Sequence, residues 1–266
     1  MMRTPIAVTI AGSDSGGGAG IAADLKTFAA LGVHGACIVT AVTAQNTKGV
    51  AAIHTVPADF VAAQIDAVFS DLNVAGVKIG MLGSAATIDA VAEGLARHGA
   101  RNVVLDPVMA ATSGERLLSA DALDALRKLI ARANVLTPNL PEAAALLDAP
   151  VARNEEEMLA QGEKLLALGA AAVLIKGGHA GGPDSVDLLV EPAGSTRFGA
   201  RRIDTENTHG TGCTLSSAIA ACLAKGCMLG EAVGEAKTYV SAAIAAADRL
   251  DIGSGRGPLH HFAKWW

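Results

Sequence analysis

The run Asn207-Thr208-His209-Gly210-Thr211-Gly212-Cys213-Thr214 sets two glycines around a small hydroxyl residue, and an alanine-rich amphipathic stretch starts at once. A loop entering a helix this way leaves its first N–H groups bare. Gly210 and Gly212 allow positive φ and close approach of a ligand to the backbone. The bare N–H groups and the helix dipole then cradle a phosphate or a developing anion, with Thr208 and Thr211 beside it. Cys213 falls in the first turn, where the same field favours thiolate over thiol. That combination suits group transfer. A plain helix entry carrying a buried small thiol is the alternative.

Three charged residues bear on the choice. Lys176 ends an apolar strand before two glycines, so its ammonium can reach phosphate oxygens; a solvated strand-end lysine is the simpler reading. Asp106 closes Val103-Val104-Leu105 before a proline, and Glu142 follows Asn139 by three residues. Two carboxylates on neighbouring strand ends suit Mg²⁺, which takes few protein oxygens and keeps waters. Glu142 could equally be a first-turn acid favoured by the helix dipole. Lysine, paired acids and an anion hole are the parts of phosphoryl transfer. No G-x-x-x-x-G-K-[ST] occurs, so the chain is not a P-loop enzyme.

Two other chemistries are weighed. Gly18-Ala19-Gly20-Ile21-Ala22-Ala23 fits the loose dinucleotide form G-x-G-x-x-A, yet Gln45 stands near where a ribose-binding acid belongs. Cys213 as a covalent acyl-transfer nucleophile would need His209 as its base, four residues away across a glycine turn. That is poor geometry for a pair.

Short β-branched runs alternate with alanine-rich segments, and so define the elements that position these residues. Strands are expected at Ile6–Ile10, Cys37–Val42, Val77–Ile79, Val103–Leu105, Val135–Thr137, Val173–Ile175, Val186–Val190 and Thr196–Ile203. Helices are expected at Gly20–Leu31, Ala58–Phe69, Thr87–His98, Ala120–Ala131, Pro141–Leu147, Glu155–Leu168, Cys213–Lys225 and Leu229–Leu250. This alternation predicts an α/β fold: a mostly parallel sheet, helices on both faces, an antiparallel late edge and one domain over 1–266. Ligands of such folds bind outside the carboxyl ends of the strands. Nearly every unusual polar or glycine residue follows a strand, which makes that edge the expected site.

At 266 residues the chain suits one large domain, and its core must be aliphatic, with 51% hydrophobic but 3% aromatic residues. A net charge of −5 gives no reason to expect nucleic acid or an anionic membrane as partner. Cys37, Cys213, Cys222 and Cys227 show no C-x-x-C and read as lacking zinc-finger spacing, with Cys37 and Cys222 as core residues. Without a signal core or a membrane-length apolar run, a cytoplasmic protein with reduced thiols is expected.

The ordered motifs Ala11-Gly12-Ser13-Asp14-Ser15-Gly16-Gly17-Gly18-Ala19-Gly20-Ile21, Ala23-Asp24-Leu25-Lys26-Thr27, Thr40-Ala41-Val42-Thr43-Ala44-Gln45-Asn46-Thr47 and Lys78-Ile79-Gly80-Met81-Leu82 carry a resemblance. So do Asp106-Pro107-Val108-Met109, Thr137-Pro138-Asn139-Leu140-Pro141-Glu142, Lys176-Gly177-Gly178-His179, the anion-hole octapeptide and Gly257-Pro258-Leu259-His260-His261-Phe262. Nearly end to end, the chain resembles the ribokinase-like vitamin kinases, and specifically the bacterial hydroxymethylpyrimidine/phosphomethylpyrimidine kinases of thiamine biosynthesis. Ala22, where that family usually has Gln, is a departure. The resemblance implies a three-layer α/β/α fold, ATP and Mg²⁺ as cofactors, a pyrimidine substrate and a homodimer. By position, it implies that Gly210, Thr211, Gly212 and Cys213 form the anion hole, with Cys213 where related sugar kinases place an aspartate base. It implies that Lys176, Thr208, Gly210 and Gly212 meet ATP, that Asp106 and Glu142 serve Mg²⁺, and that Gly12, Asp24, Gln45, Met81 and Val108 surround the aminopyrimidine. A Gln amide can read a ring's donor–acceptor edge in both senses. Pyridoxine or pyridoxal kinase and a silent ribokinase-like binding module are the neighbouring possibilities.

Overall fold

The apolar runs pair into one nine-stranded sheet, seen in a computed structural model that describes residues 4–110, 114, 117–119, 122–178 and 181–266. Its spatial order is β3 (Gly49–Thr55), β2 (His34–Asn46), β1 (Ile6–Gly12), β4 (Gly76–Ile79), β5 (Val103–Leu105), β6 (Val135–Leu136), β7 (Val173–Lys176), β8 (Asp184–Glu191) and β9 (Gly194–Arg201). The strands from β2 through β7 run parallel, while β3 at one edge and β8 and β9 at the other run antiparallel. Successive strand residues point to opposite faces, which is why Val103 and Leu105 enter one core cluster and Val104 the other.

Helices α2 (Ala58–Asp71), α3 (Ala85–Arg97), α4 (Ala122–Ile130), α5 (Leu140–Leu147) and α6 (Glu155–Leu166) cover the first face through residues such as Ile65, Val91, Leu126, Leu146 and Leu165. Helices α1 (Gly20–Ala30), α7 (Thr211–Ala224) and α8 (Leu229–Ala245) cover the other through Phe28, Ile219 and Val233. Helix α7 is buried along nearly its whole length, from Thr214 to Leu223. A helix so enclosed is a rigid mount for whatever its first turn carries.

Two expectations change. The second strand extends to Asn46, because the unforeseen β3 folds back on it antiparallel, so Gln45 lies within a strand, at a register shift, rather than beyond one. The last helix stops at Ala245; a single 3-10 turn, Ala247–Arg249, follows. Asp248 there accepts hydrogen bonds from Thr205 and Asn207. The expected starts Ala120 and Asp121 of α4, and His179 of the lysine motif, lie outside the described residues.

Candidate active site at the carboxyl edge of the sheet

Strand β7 ends by delivering Lys176, whose Nζ donates to Asp106 Oδ1 at 2.7 Å and lies 3.9 Å from Glu142 Oε2. Asp106 leaves the end of β5. It also accepts from the Thr137 hydroxyl at 3.3 Å and, through Oδ2, from Ser216 of α7 at 3.2 Å. Glu142 satisfies both sequence readings of it. It closes a capping box with Asn139, each side chain accepting the other's N–H at 2.8 Å, and it faces the lysine. Burial, reinforced by Asp106 and opposed by Lys176, pushes the Glu142 carboxyl up to about 7. On Lys176, burial is outweighed by Asp106 and Glu142, and the ammonium is held more firmly charged than usual.

The first turn of α7 meets this cluster. Gly210, at φ 85°, is the N-cap, and a Cβ there would lie 2.0 Å from the Gly18 carbonyl oxygen. A Cβ on Gly212 would stand 3.3 Å from Lys176 Nζ, so the helix start and the lysine share one space. Among the described residues no hydrogen bond occupies the N–H groups of Gly212 and Cys213. Thr211 donates its hydroxyl to the Thr208 carbonyl at 2.7 Å, which tightens the loop just before the helix. This start of α7 therefore leaves two N–H groups free to meet an anion.

The glycine-rich loop after β1 does something else. Asp14 accepts the N–H groups of Gly16, Gly18 and Ala19 at 2.8–2.9 Å, so this loop's nest is filled by its own carboxylate. His209 Nε2 lies 3.0 Å from the same carboxylate and 3.5 Å from Gln45 Nε2. Burial would raise Asp14, but His209 and the loop N–H groups win and hold it below the usual carboxylate range. The Gln45 side-chain oxygen, Oε1, accepts from the Thr43 hydroxyl at 3.2 Å. An open pocket of about 450 Å³ adjoins this group, lined by Gln45, Lys48, His209 and Arg256 among others. Gly12 meets Met81, since a Cβ at Gly12 would be 2.9 Å from the Met81 sulfur. Half-buried Val108 follows Asp106 by two residues.

Two expectations for single residues are corrected. Asp24 has no ligand-facing surface: it is fully buried, and its oxygens accept from Thr9 at 2.6 Å, Ser217 at 2.6 Å and Lys78 at 2.9 Å. Its place is the core between α1, β4 and α7, where Lys78 and Ser217 reach it. Cys213 is no low-pKa thiol. Burial pushes it up to about 11, and the opposing effects of Lys78 and of the Gly20 N–H bonded to its sulfur only partly offset that. The helix field was legible in the sequence, but desolvation exceeds it. Sequence reasoning also gave no role to Asp14, Lys78, Ser216 or Ser217. The one available signal was polar residues at buried helical spacing, Ser216 and Ser217 one turn after the hole.

A mostly parallel α/β sheet whose carboxyl edge sets a lysine and two acids against an uncapped glycine helix start defines a phosphotransferase of the ribokinase-like kind. The family model of phosphomethylpyrimidine kinase matches residues 14–260. The chain belongs to the phosphomethylpyrimidine kinase family. It is 59% identical over 264 residues to the hydroxymethylpyrimidine/phosphomethylpyrimidine kinase of Rhizobium meliloti, covering 99% of each chain. The solved phosphomethylpyrimidine kinase of Clostridium difficile matches with a TM-score of 0.81 at 43% identity, covering 91% of this chain and all of that one. An ADP complex of Bacillus subtilis pyridoxal kinase matches with a TM-score of 0.90 at 35% identity, covering 98% and 99%. No described helix is long and apolar enough to cross a membrane.

Proposed function

We infer that the protein, as one kinase domain, transfers the γ-phosphoryl group of ATP to 4-amino-5-hydroxymethyl-2-methylpyrimidine and then to the resulting monophosphate, yielding the diphosphate used in thiamine biosynthesis. The meeting of Lys176, Asp106 and Glu142 with the unpaired N–H groups of Gly212 and Cys213 carries this reading. In each step an acceptor oxygen forms the new bond to phosphorus as the bond to ADP breaks. Lys176 and the helix start stabilise charge on the transferring group. In the first step the hydroxymethyl proton would go to the Cys213 sulfur in its minor thiolate form, which burial disfavours and the Lys78 ammonium only partly restores.

Two carboxylates within one ammonium's reach, one driven toward protonation by burial and by its neighbour, fit a hard divalent cation, so Asp106 and Glu142 would hold Mg²⁺. Bound there, Mg²⁺ would neutralise phosphate charge. Gln45, Gly12, Met81 and Val108 line the space for the ring, with Thr208 and Gly210 on the nucleotide side. A homodimer and a cytoplasmic location belong to the same proposal.

The structural likeness to pyridoxal kinase makes that the second reading. Steady-state kcat/KM for hydroxymethylpyrimidine, its monophosphate and pyridoxal separates the two; a preference for pyridoxal would overturn the assignment. Gln45→Ala should raise KM for hydroxymethylpyrimidine at least about tenfold, roughly 1.4 kcal/mol, and affect pyridoxal less.

A further inference from the structure

The far end of α7 gathers three side chains that phosphoryl transfer does not use. The Cys222 thiol donates to Glu235 Oε2 at 3.3 Å, and the ligand atoms of Cys222, Cys227 and Glu235 all lie within 4.8 Å of one another. Cys222 is buried in the last turn of α7, Cys227 is half-buried in the turn that follows, and Glu235 is exposed on α8. Gly226, at φ 91°, makes the turn that swings Cys227 back, so that its N–H bonds the Cys222 carbonyl at 3.1 Å. The spacing is C-x₄-C. That falls within the range of zinc ligand pairs and corrects the sequence reading, which found no zinc-finger spacing and took Cys222 as core.

We propose that Cys222, Cys227 and Glu235 bind one thiophilic divalent cation of the zinc type. Two thiolates and a carboxylate supply three negative charges, and soft sulfur donors select zinc or cadmium over magnesium. The helix C-terminus adds the negative pole of its dipole. Tetrahedral coordination needs sulfur–sulfur separations near 3.8 Å, from metal–sulfur bonds of about 2.3 Å, so a small contraction completes the site. The exposed Glu235 side leaves the fourth position to water. Lys225 is the opposing cation nearby, and its ammonium reaches toward the Leu31 carbonyl at 3.5 Å. Binding displaces both thiol protons to solvent, so affinity rises with pH. The cation would staple α7 to α8 about 15 Å from the first turn of α7, at a rise of roughly 1.5 Å per residue. Asp106 and Glu142, all-oxygen donors, would be left to magnesium.

Reduced, metal-free full-length protein titrated with Cd²⁺ in excess Mg²⁺ tests this. One equivalent should produce thiolate-to-cadmium charge-transfer absorption and raise Tm, and Zn²⁺ should displace the signal. Cys222→Ser sits in the core and could unfold the protein, so the informative variants are Cys227→Ser and Glu235→Gln. Cys227→Ser should weaken Cd²⁺ by at least about 100-fold and Glu235→Gln by about tenfold. Cys213→Ser keeps the cluster and should titrate like wild type. No absorption at one equivalent, an unchanged titration in Cys227→Ser, or loss of the signal in Cys213→Ser would each overturn the proposal.

Discussion

Two lysines end up beside carboxylates behind the same anion hole, and they are built in opposite ways. Lys78, in the middle of β4, is sealed with Asp24, both side chains at 0% exposure. Lys176, at the end of β7, keeps 11% of its side chain exposed against the 2% and 10% of its partners Asp106 and Glu142. In the sealed pair, Thr9 and Ser217 complete the carboxylate's hydrogen bonds, and the ammonium stays charged well above its usual pKa because Asp24 outweighs burial. In the open group the negative charges exceed the one cation in contact with them, and burial together with Asp106 drives Glu142 toward protonation. A closed neutral pair has nothing left to offer a ligand; an open, anion-rich one invites a cation and, through its lysine, a phosphate. Cys213 feels both ammonium groups.

The largest expected effect breaks the sealed pair. Lys78→Met strands Asp24 in the core and should cost about 3–5 kcal/mol of stability in urea unfolding. Lys176→Met should cost well under that, since Glu142 can neutralise itself by protonation. If the two variants unfold alike, the distinction between sealed and open pairs is empty.

Activity should rank them the other way. Lys176→Met removes a charge that faces the transferring phosphoryl group and should lower kcat by about 10²–10³-fold, some 2.7–4 kcal/mol. ATP affinity should weaken with it.

Cys213 sharpens the comparison from between the pairs. Cys213→Ala should lower the first phosphorylation by about 10²-fold, the low end of general-base assistance. The second step attacks through a phosphate oxygen already ionised near neutral pH, so it should lose much less. Equal losses on hydroxymethylpyrimidine and its monophosphate would make Cys213 a packing residue.

The smallest effect concerns Glu142. Below about pH 7 its carboxyl is protonated, and a cation must displace that proton, so the Mg²⁺ needed for half-maximal rate should climb as pH falls. Glu142→Gln should raise the Mg²⁺ requirement about tenfold and flatten the pH dependence. A wild-type requirement independent of pH between 6 and 8, a window on the order of one unit around that pKa, would contradict it.

The open group was legible in the sequence because its members gather at the carboxyl ends of strands, where the rule for parallel sheets puts ligands. Lys176 and Asp106 each end or follow an apolar run, Glu142 opens the helix after the next one, and no knowledge of pairing was needed to place them on one edge. The sealed pair was not legible. Lys78 and Asp24 are 54 residues apart, and only the adjacency of β4, α1 and α7 brings them together. Strand β3 was missed for a related reason. From Ala51 to Thr55 it is exposed at every position, so it carries no buried periodicity, and only its partner β2 makes it a strand. The Cys213 thiol shows the same divide: the helix field is local and can be read, whereas burial belongs to the finished fold.

The segment after α8 holds the anion-hole loop from behind. Gly257 donates its N–H to Asn207 and accepts from the His209 N–H, and the His261 ring lies 3.0 Å from the Thr214 hydroxyl, which donates to the Gly210 carbonyl. Synthesis runs from β1 onward, so a nascent chain carries all nine strands before the residues that fix its anion hole exist. A ribosome-bound chain ending at α8 would have the sheet, the sealed lysine and the open acids, with the Asn207–Gly210 loop untethered. The order of translation thus withholds a tethered Asn207–Gly210 loop until the segment after α8 has been read.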